Sequence, residues 1–331
     1  MRGLFFTPLN TMILNLLMLL GGLILLVWSA DRFVYGAAAL ARNLGLPPLI
    51  IGLTIVSMGS SAPEAMVATT AAMGGLLDTA VGNVVGSNIT NITLILGATA
   101  LLRPMVVGSS TLMKEMPLML AGTVLAGWLM QDLLLDFVDG VILMTAFVIV
   151  ISTLTWAAWR NRDTDPMATE SEAEVPDNVP MGKAVFWLLV GMALLPVASN
   201  LMVDGAVYIA KWYGLSDLVI GLTIIAIGTS LPELAACIAG VLKNEDDLAI
   251  GNVVGSNLFN ILAVLALPAL IAGGPINELA AGRDFYVMLG TSLAPLLLLW
   301  LKRSRTIGRI EGALLLICFI AYQFSLFTHA G

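Results

Sequence analysis

Residues 52–64 read Gly52-Leu53-Thr54-Ile55-Val56-Ser57-Met58-Gly59-Ser60-Ser61-Ala62-Pro63-Glu64, and residues 221–233 read Gly221-Leu222-Thr223-Ile224-Ile225-Ala226-Ile227-Gly228-Thr229-Ser230-Leu231-Pro232-Glu233. The likeness runs on without a gap. Gly82-Asn83-Val84-Val85-Gly86-Ser87-Asn88 returns as Gly251-Asn252-Val253-Val254-Gly255-Ser256-Asn257, and Asn91 returns as Asn260. Between 52–92 and 221–261, at a constant offset of 169, 19 of 41 positions are identical. Shared hydrophobicity alone does not produce such identity, so the chain carries an internal duplication.

The surroundings of the two copies set the fold class. Of the 331 residues, 59% are hydrophobic and 11% charged, against roughly 25% charged in a soluble domain. Ten apolar runs recur from end to end, about 12–30, 46–73, 79–102, 112–130, 138–159, 184–210, 216–242, 247–272, 285–301 and 310–328. Each is long enough to cross a hydrocarbon core of about 30 Å as a helix. The expectation is an all-α integral membrane protein with ten transmembrane helices.

The offset between the copies spans five of those runs, an odd number, so the copies must enter the membrane from opposite faces. That predicts two inverted five-helix repeats, residues 1–159 and 184–331, joined by a linker at 160–183. Such proteins place their substrate at mid-membrane, where the repeats meet. A packing role for the duplicated small residues explains the glycines but not the identical carboxylates.

Charge narrows the function classes. The net charge of −7 owes much to Asp163, Asp165, Glu170, Glu172, Glu174 and Asp177, which read as a solvated linker without the spacing of a calcium loop. There is no basic patch, so nucleic acid is not implied. Cys237 and Cys318 lie in apolar runs and read as small packing residues. The charged pair Asp31 and Arg32 reads as the end of the first span, and that span as part of the mature protein.

Assigning loops alternately to two sides puts Arg2, Lys211 and Arg283 on one side and 11 Lys and Arg on the other, with Arg32 set aside. The positive-inside rule then places both termini outside and the linker in the cytoplasm, for a multi-pass protein of the inner (plasma) membrane.

Glu64 is the only charged residue between Arg42 and Asp78, and Glu233 the only one between Asp217 and Lys243. A carboxylate at mid-helix costs about 2.5–3.5 kcal/mol to insert, and no Lys or Arg is expected at its depth. A bound cation is the natural counter-charge; the alternative is a pair of neutral, protonated glutamates. Pro63 and Pro232 should break each span just before the carboxylate and free carbonyls around 59–60 and 228–229.

The hydroxyls of Ser60, Ser61, Thr229, Ser230, Ser87 and Ser256 and the amides of Asn91 and Asn260 complete an oxygen-only set, though any one hydroxyl could instead bond back to its own helix. Asn83 and Asn252 read equally well as interhelical glue. Hard cations choose oxygen sets, and the lone histidine, His329, is far from either motif. The set suits calcium or sodium.

The paired G-[ST]-S-x-P-E and G-N-x-x-G-S-N-x-x-N segments resemble the alpha repeats of the calcium/cation antiporter superfamily, the sodium/calcium exchangers, in its short bacterial members. The resemblance covers nearly the whole chain. It implies calcium and sodium as substrates in alternating access around four cation positions, with no cofactor. By motif, Glu64 and Glu233 would be shared by both ions. Ser60 and Thr229 would lend backbone carbonyls, and Ser61, Ser230, Ser87 and Ser256 hydroxyls. Asn91 and Asn260 would complete the middle, and Ser57 and Ala226 would add carbonyls at the ends. The sequence departs from the common pattern at Ser60 and Ala62, usually Thr and Leu, and at Asn260, where many relatives have Asp.

Three readings compete. The first is a sodium/calcium antiporter. The second is a proton/calcium antiporter using the same glutamates. The third, of another class, is a non-transporting membrane scaffold, which would not need the mirrored carboxylates. No Ser-His, Cys-His or His-rich constellation supports an enzyme. No protein partner is evident beyond the lipid bilayer.

Overall fold

The computed structural model describes residues 8–46, 48–108, 111–160, 179–213, 226–302 and 305–329. The linker acids and the beginning of the seventh apolar run lie outside the described residues. Among the described residues, seven helices are long and apolar enough to cross a membrane. In chain order they occupy Thr11–Leu44, Leu77–Leu102, Phe137–Ala157, Met181–Ala206, Asp246–Ala272, Ala280–Lys302 and Arg309–Leu326.

The other three apolar runs are composite. Residues 48–73 hold a four-residue turn Pro48–Ile51, a π-helical turn Gly52–Val56, the short helix Ser57–Ser60 and the helix Ala62–Met73. The fourth run holds a π turn Thr111–Glu115 leading into Met116–Leu129. The described part of the seventh holds Ala226–Thr229 and Leu231–Leu242.

Helix α1, Pro8–Leu44, is longer than its apolar run. Asp31 and Arg32 do not end it, correcting the sequence-based expectation. Asp31 pairs with Lys243 Nζ at 2.7 Å, and the Arg32 guanidinium stacks 5.3 Å from the Trp187 ring centroid, so both charges are met without leaving the helix. The helix stops at Gly45, whose φ of +59° suits glycine. There Leu46 N–H returns to Ala41 O at 2.9 Å and closes the last turn. At 1.5 Å per residue its 37 residues span about 55 Å, well beyond a hydrocarbon core of about 30 Å.

The helix Met181–Trp212 lies antiparallel against α1. Their backbones meet at glycines. A Cβ on Gly36 would sit 2.3 Å from Leu188 N, and one on Gly191 2.6 Å from Phe33 Cα. This pair buries its own apolar cluster around Phe33, Leu26, Leu188 and Leu195.

The centre belongs to the two duplicated helices. In Leu77–Leu102 and Asp246–Ala272, 78% of the apolar window is buried, against 11–28% in the other five. Met105–Val106 pairs antiparallel with Thr306–Ile307, and Leu134–Leu135 with Gly274–Pro275, so each short bridge joins one half to the other. Gly75 and Asn244, at equivalent positions, both take positive φ and close their helices by the same reverse bonds.

Candidate cation site

Both glutamates are set by the same local device. Ser61 (φ −84°, ψ 11°) and Ser230 (φ −90°, ψ 6°) interrupt their helices for one residue. Proline then stands as the second residue of the resumed helix, where its missing N–H costs least. Glu64 and Glu233 follow as third residues, in first turns whose free N–H groups favour negative charge. Because Pro232 has no N–H to give back to Gly228, that carbonyl is free to accept from Ser199 Oγ at 2.5 Å. Sequence reasoning missed Ser199, since its counterpart at position 30 is alanine and no repeat flags it.

The carboxylates are held by the opposite half. Ser61 Oγ donates to Glu233 Oε1 at 2.6 Å, and Ser230 Oγ donates to Glu64 Oε1 at 3.3 Å. Both glutamates are 1% exposed. Behind them, Asn83 Nδ2 donates to Glu64 O at 3.2 Å and Asn252 Nδ2 to Glu233 O at 3.5 Å. These two asparagines therefore brace the helix turns that carry the acids, as the glue reading had it.

The third layer is made of asparagines on the central helices. Asn91 opens the π turn Asn91–Leu96 and Asn260 sits in the π turn Phe259–Val264; such turns recur at functional sites. Asn91 Nδ2 donates to Asn257 Oδ1 at 3.0 Å. Asn88 and Asn257 exchange bonds, each Nδ2 reaching the other's backbone carbonyl at 3.2 and 3.5 Å. Asn88 and Asn257 were not singled out as site residues, although their identity across the repeats was the available signal.

Four residues were expected to lend backbone carbonyls. The Ser57 hydroxyl bonds back to Leu53 O at 2.9 Å. Ser60 Oγ lies 3.1 Å from Asn252 Oδ1 and 3.3 Å from Ser57 O. Thr229 lines a cavity together with Ser87. Ala226 starts the short helix Ala226–Thr229.

The bonding inventory leaves a remainder. Among the described residues, Glu64 Oε2, Glu233 Oε2, Asn88 Oδ1, Asn91 Oδ1, Ser256 Oγ and both polar atoms of Asn260 are buried without a hydrogen-bond partner. Native proteins keep few such atoms, because each costs on the order of 1–3 kcal/mol and a charged one more. Among the described residues, seven of the thirteen such atoms belong to the two carboxylates and the repeat's own polar residues. They can offer a cation one anionic oxygen from each half, together with neutral oxygens, the ligand chemistry of hard cations. His and Cys donors for a softer metal are absent from this set.

Residues 14–156 and 183–328 match the sodium/calcium exchanger protein family. The chain is 54% identical over 318 residues to the putative antiporter CaxA of Alkalimonas amylolytica, spanning 96% of this chain and all of that one. It is 46% identical over 314 residues to the inner membrane protein YrbG of Escherichia coli K12, spanning 94% and 96% of the two chains. Among solved structures, the sodium-calcium exchanger NCX_Mj superposes with a TM-score of 0.81 at 31% identity, over 95% of this chain and 99% of that one.

Proposed function

Because this chain belongs to the sodium/calcium exchanger family, a family of transporters and not of enzymes, we propose that it exchanges calcium for sodium by alternating access, with Glu64 and Glu233 as the carboxylates shared by the two ions. It is a multi-pass membrane cation antiporter. The choice of ions is the inference. One observation carries it: two buried carboxylates from opposite halves each keep an unpartnered oxygen, beside the unpartnered oxygens of Asn91, Ser256 and Asn260.

In this reading Ser61, Ser230, Ser87 and Ser60 orient the acids, and Asn91 and Asn260 line the middle. Thr229, Ser57 and Ala226 contribute through backbone oxygens. Calcium takes six to eight oxygens at about 2.3–2.6 Å, and sodium tolerates the same donors. The ten apolar runs form ten spans in two inverted five-helix halves, 1–159 and 184–331. Both termini face outward, with the 160–183 linker in the cytoplasm.

Calcium uptake into proteoliposomes tests the ion choice. A sodium gradient at equal pH should drive uptake, and a proton gradient without sodium should not; the reverse result would establish proton/calcium exchange. Glu64→Gln and Glu233→Gln should each abolish uptake while leaving insertion intact, and near-normal uptake by either purified variant would exclude the shared site. Orientation is read by an impermeant thiol reagent on intact cells, after the native cysteines are removed. A cysteine placed at Asn178 should stay unlabelled until the cells are opened.

A further inference from the structure

The duplication repeats a second charged feature that the cation site does not use. Lys114-Glu115 and Arg283-Asp284 stand at the same offset of 169, each closing a five-residue π turn, Thr111–Glu115 and Ala280–Asp284. Each turn opens a membrane helix.

Their surroundings differ between the halves. A cavity of about 410 Å³ is lined by Ser87, Thr90 and Thr229 and by Arg283, Asp284 and Tyr322. Its wall includes Gly82 and Gly86, and no described residue lies within 4 Å of where their Cβ atoms would be. In the other half the counterpart of Gly86 is packed: a Cβ on Gly255 would lie 2.6 Å from Leu53 O. There Glu115 is 2% exposed, whereas Arg283 and Asp284 stand half-buried on the cavity wall.

We propose that the Arg283–Asp284 pair with Tyr322 is the mouth through which hydrated cations reach the central site from the face that bears Arg283, and that its charge balance sets their access. This rests on the reading of Glu64 and Glu233 as the cation site. Arg283 Nε and Nη2 donate to the two oxygens of Asp284 at 2.8 and 3.2 Å, and Tyr322 OH donates to Oδ1 at 3.2 Å. The side chains are 28% and 17% exposed. An ion pair between neighbouring residues contributes little to stability, so its place on the wall of this cavity asks for another reason.

Clefts focus the field of a few charges and change the arrival rate of small ions by about tenfold or more. Paired, the two side chains present a near-neutral mouth. Removing the acid leaves a bare guanidinium that repels cations; removing the base leaves a carboxylate that gathers them.

The prediction is a difference in sign. Calcium is titrated in proteoliposomes from the face that bears Arg283, with choline chloride setting ionic strength. Asp284→Asn should raise the calcium concentration for half-maximal transport by about three- to tenfold, and Arg283→Gln should lower it by a similar factor. The double variant should return towards the unaltered protein, and about 1 M salt should shrink every difference. Calcium offered from the opposite face should give one unchanged curve. Shifts of the same direction in both single variants, or equal shifts from both faces, mean a structural role and overturn the proposal. Equilibrium calcium binding in detergent separates the two readings. All three mouth variants should bind as the unaltered protein does, while Glu64→Gln should not. Retained binding in Glu64→Gln sinks the site assignment whatever the mouth variants do.

Discussion

At the scale of single residues, the two glutamates are equivalent in sequence and unequal in setting. Ser61 holds Glu233 at 2.6 Å, in the range of a charge-assisted bond, while Ser230 reaches Glu64 only at 3.3 Å. Hydrogen bonds to charged groups contribute about 1.5–3 kcal/mol. Ser61→Ala should therefore weaken calcium binding by about tenfold or more, and Ser230→Ala by clearly less, by isothermal titration in detergent. Equal losses would show that the asymmetry belongs to one conformation and not to the binding state. The carboxylates themselves were legible, because buried identical acids have few structural explanations. Their partners were not, since Ser61 and Glu233 are 172 positions apart and nothing in the spacing joins them. Ser199 illustrates the other limit: the carbonyl that Pro232 frees at Gly228 was foreseen, but the serine that meets it stands 29 positions away and outside the repeat.

At the scale of elements, apolar run length predicted the central helices to within a few residues, 79–102 against Leu77–Leu102 and 247–272 against Asp246–Ala272. It failed at α1, where charge was read as an end. Asp31 and Arg32 stay helical because Lys243 and Trp187 receive them, partners far away in sequence. The π turns were also illegible, since their residues are as apolar as the helices they interrupt. The contact between α1 and Met181–Trp212 gives a sharp test, because adjacent glycines face different worlds. A Cβ on Gly22 would meet Met202 N at 2.8 Å, while nothing among the described residues lies within 4 Å of one on Gly21. Gly22→Leu should cost on the order of 1–3 kcal/mol through forced separation of the helices. It should lower the melting temperature of the purified protein by several degrees, and Gly21→Leu should leave it unchanged. If both variants melt alike, the two helices do not pack in this register.

At the scale of the whole molecule, the duplication was readable, but not how each copy's glycines would be packed. The residues concerned are the same in both copies: Gly86 and Gly255 lie in the identical Gly-Asn-Val-Val-Gly-Ser-Asn segments. Yet Gly255 is pressed against Leu53 O and Ser57 Oγ, at 2.6 and 2.7 Å from a notional Cβ, while Gly86 faces the cavity. The segments that meet them are not identical, since Ser57 stands where the other copy has Ala226, and the counterpart of Leu53 lies outside the described residues. If the halves are inverted repeats that exchange shapes during transport, Gly86 must meet the tight approach in the opposite state and Gly255 must lose it. A methyl group then acts on one state at a time. Gly86→Ala should fold, melt and bind calcium as the unaltered protein does, and yet turn over about tenfold more slowly, because the state it must pass through is penalised by roughly 1–3 kcal/mol. Gly255→Ala should penalise the state described here and shift the population towards the other by about five- to a hundredfold. The readout is thiol labelling of a cysteine at Thr79, on the wall of the open cavity, in a background without native cysteines. Labelling should stay high in Gly86→Ala and fall in Gly255→Ala. Full turnover in Gly86→Ala, or equal labelling in the two variants, would mean that the halves do not trade conformations and that the open and filled faces are fixed features of the fold.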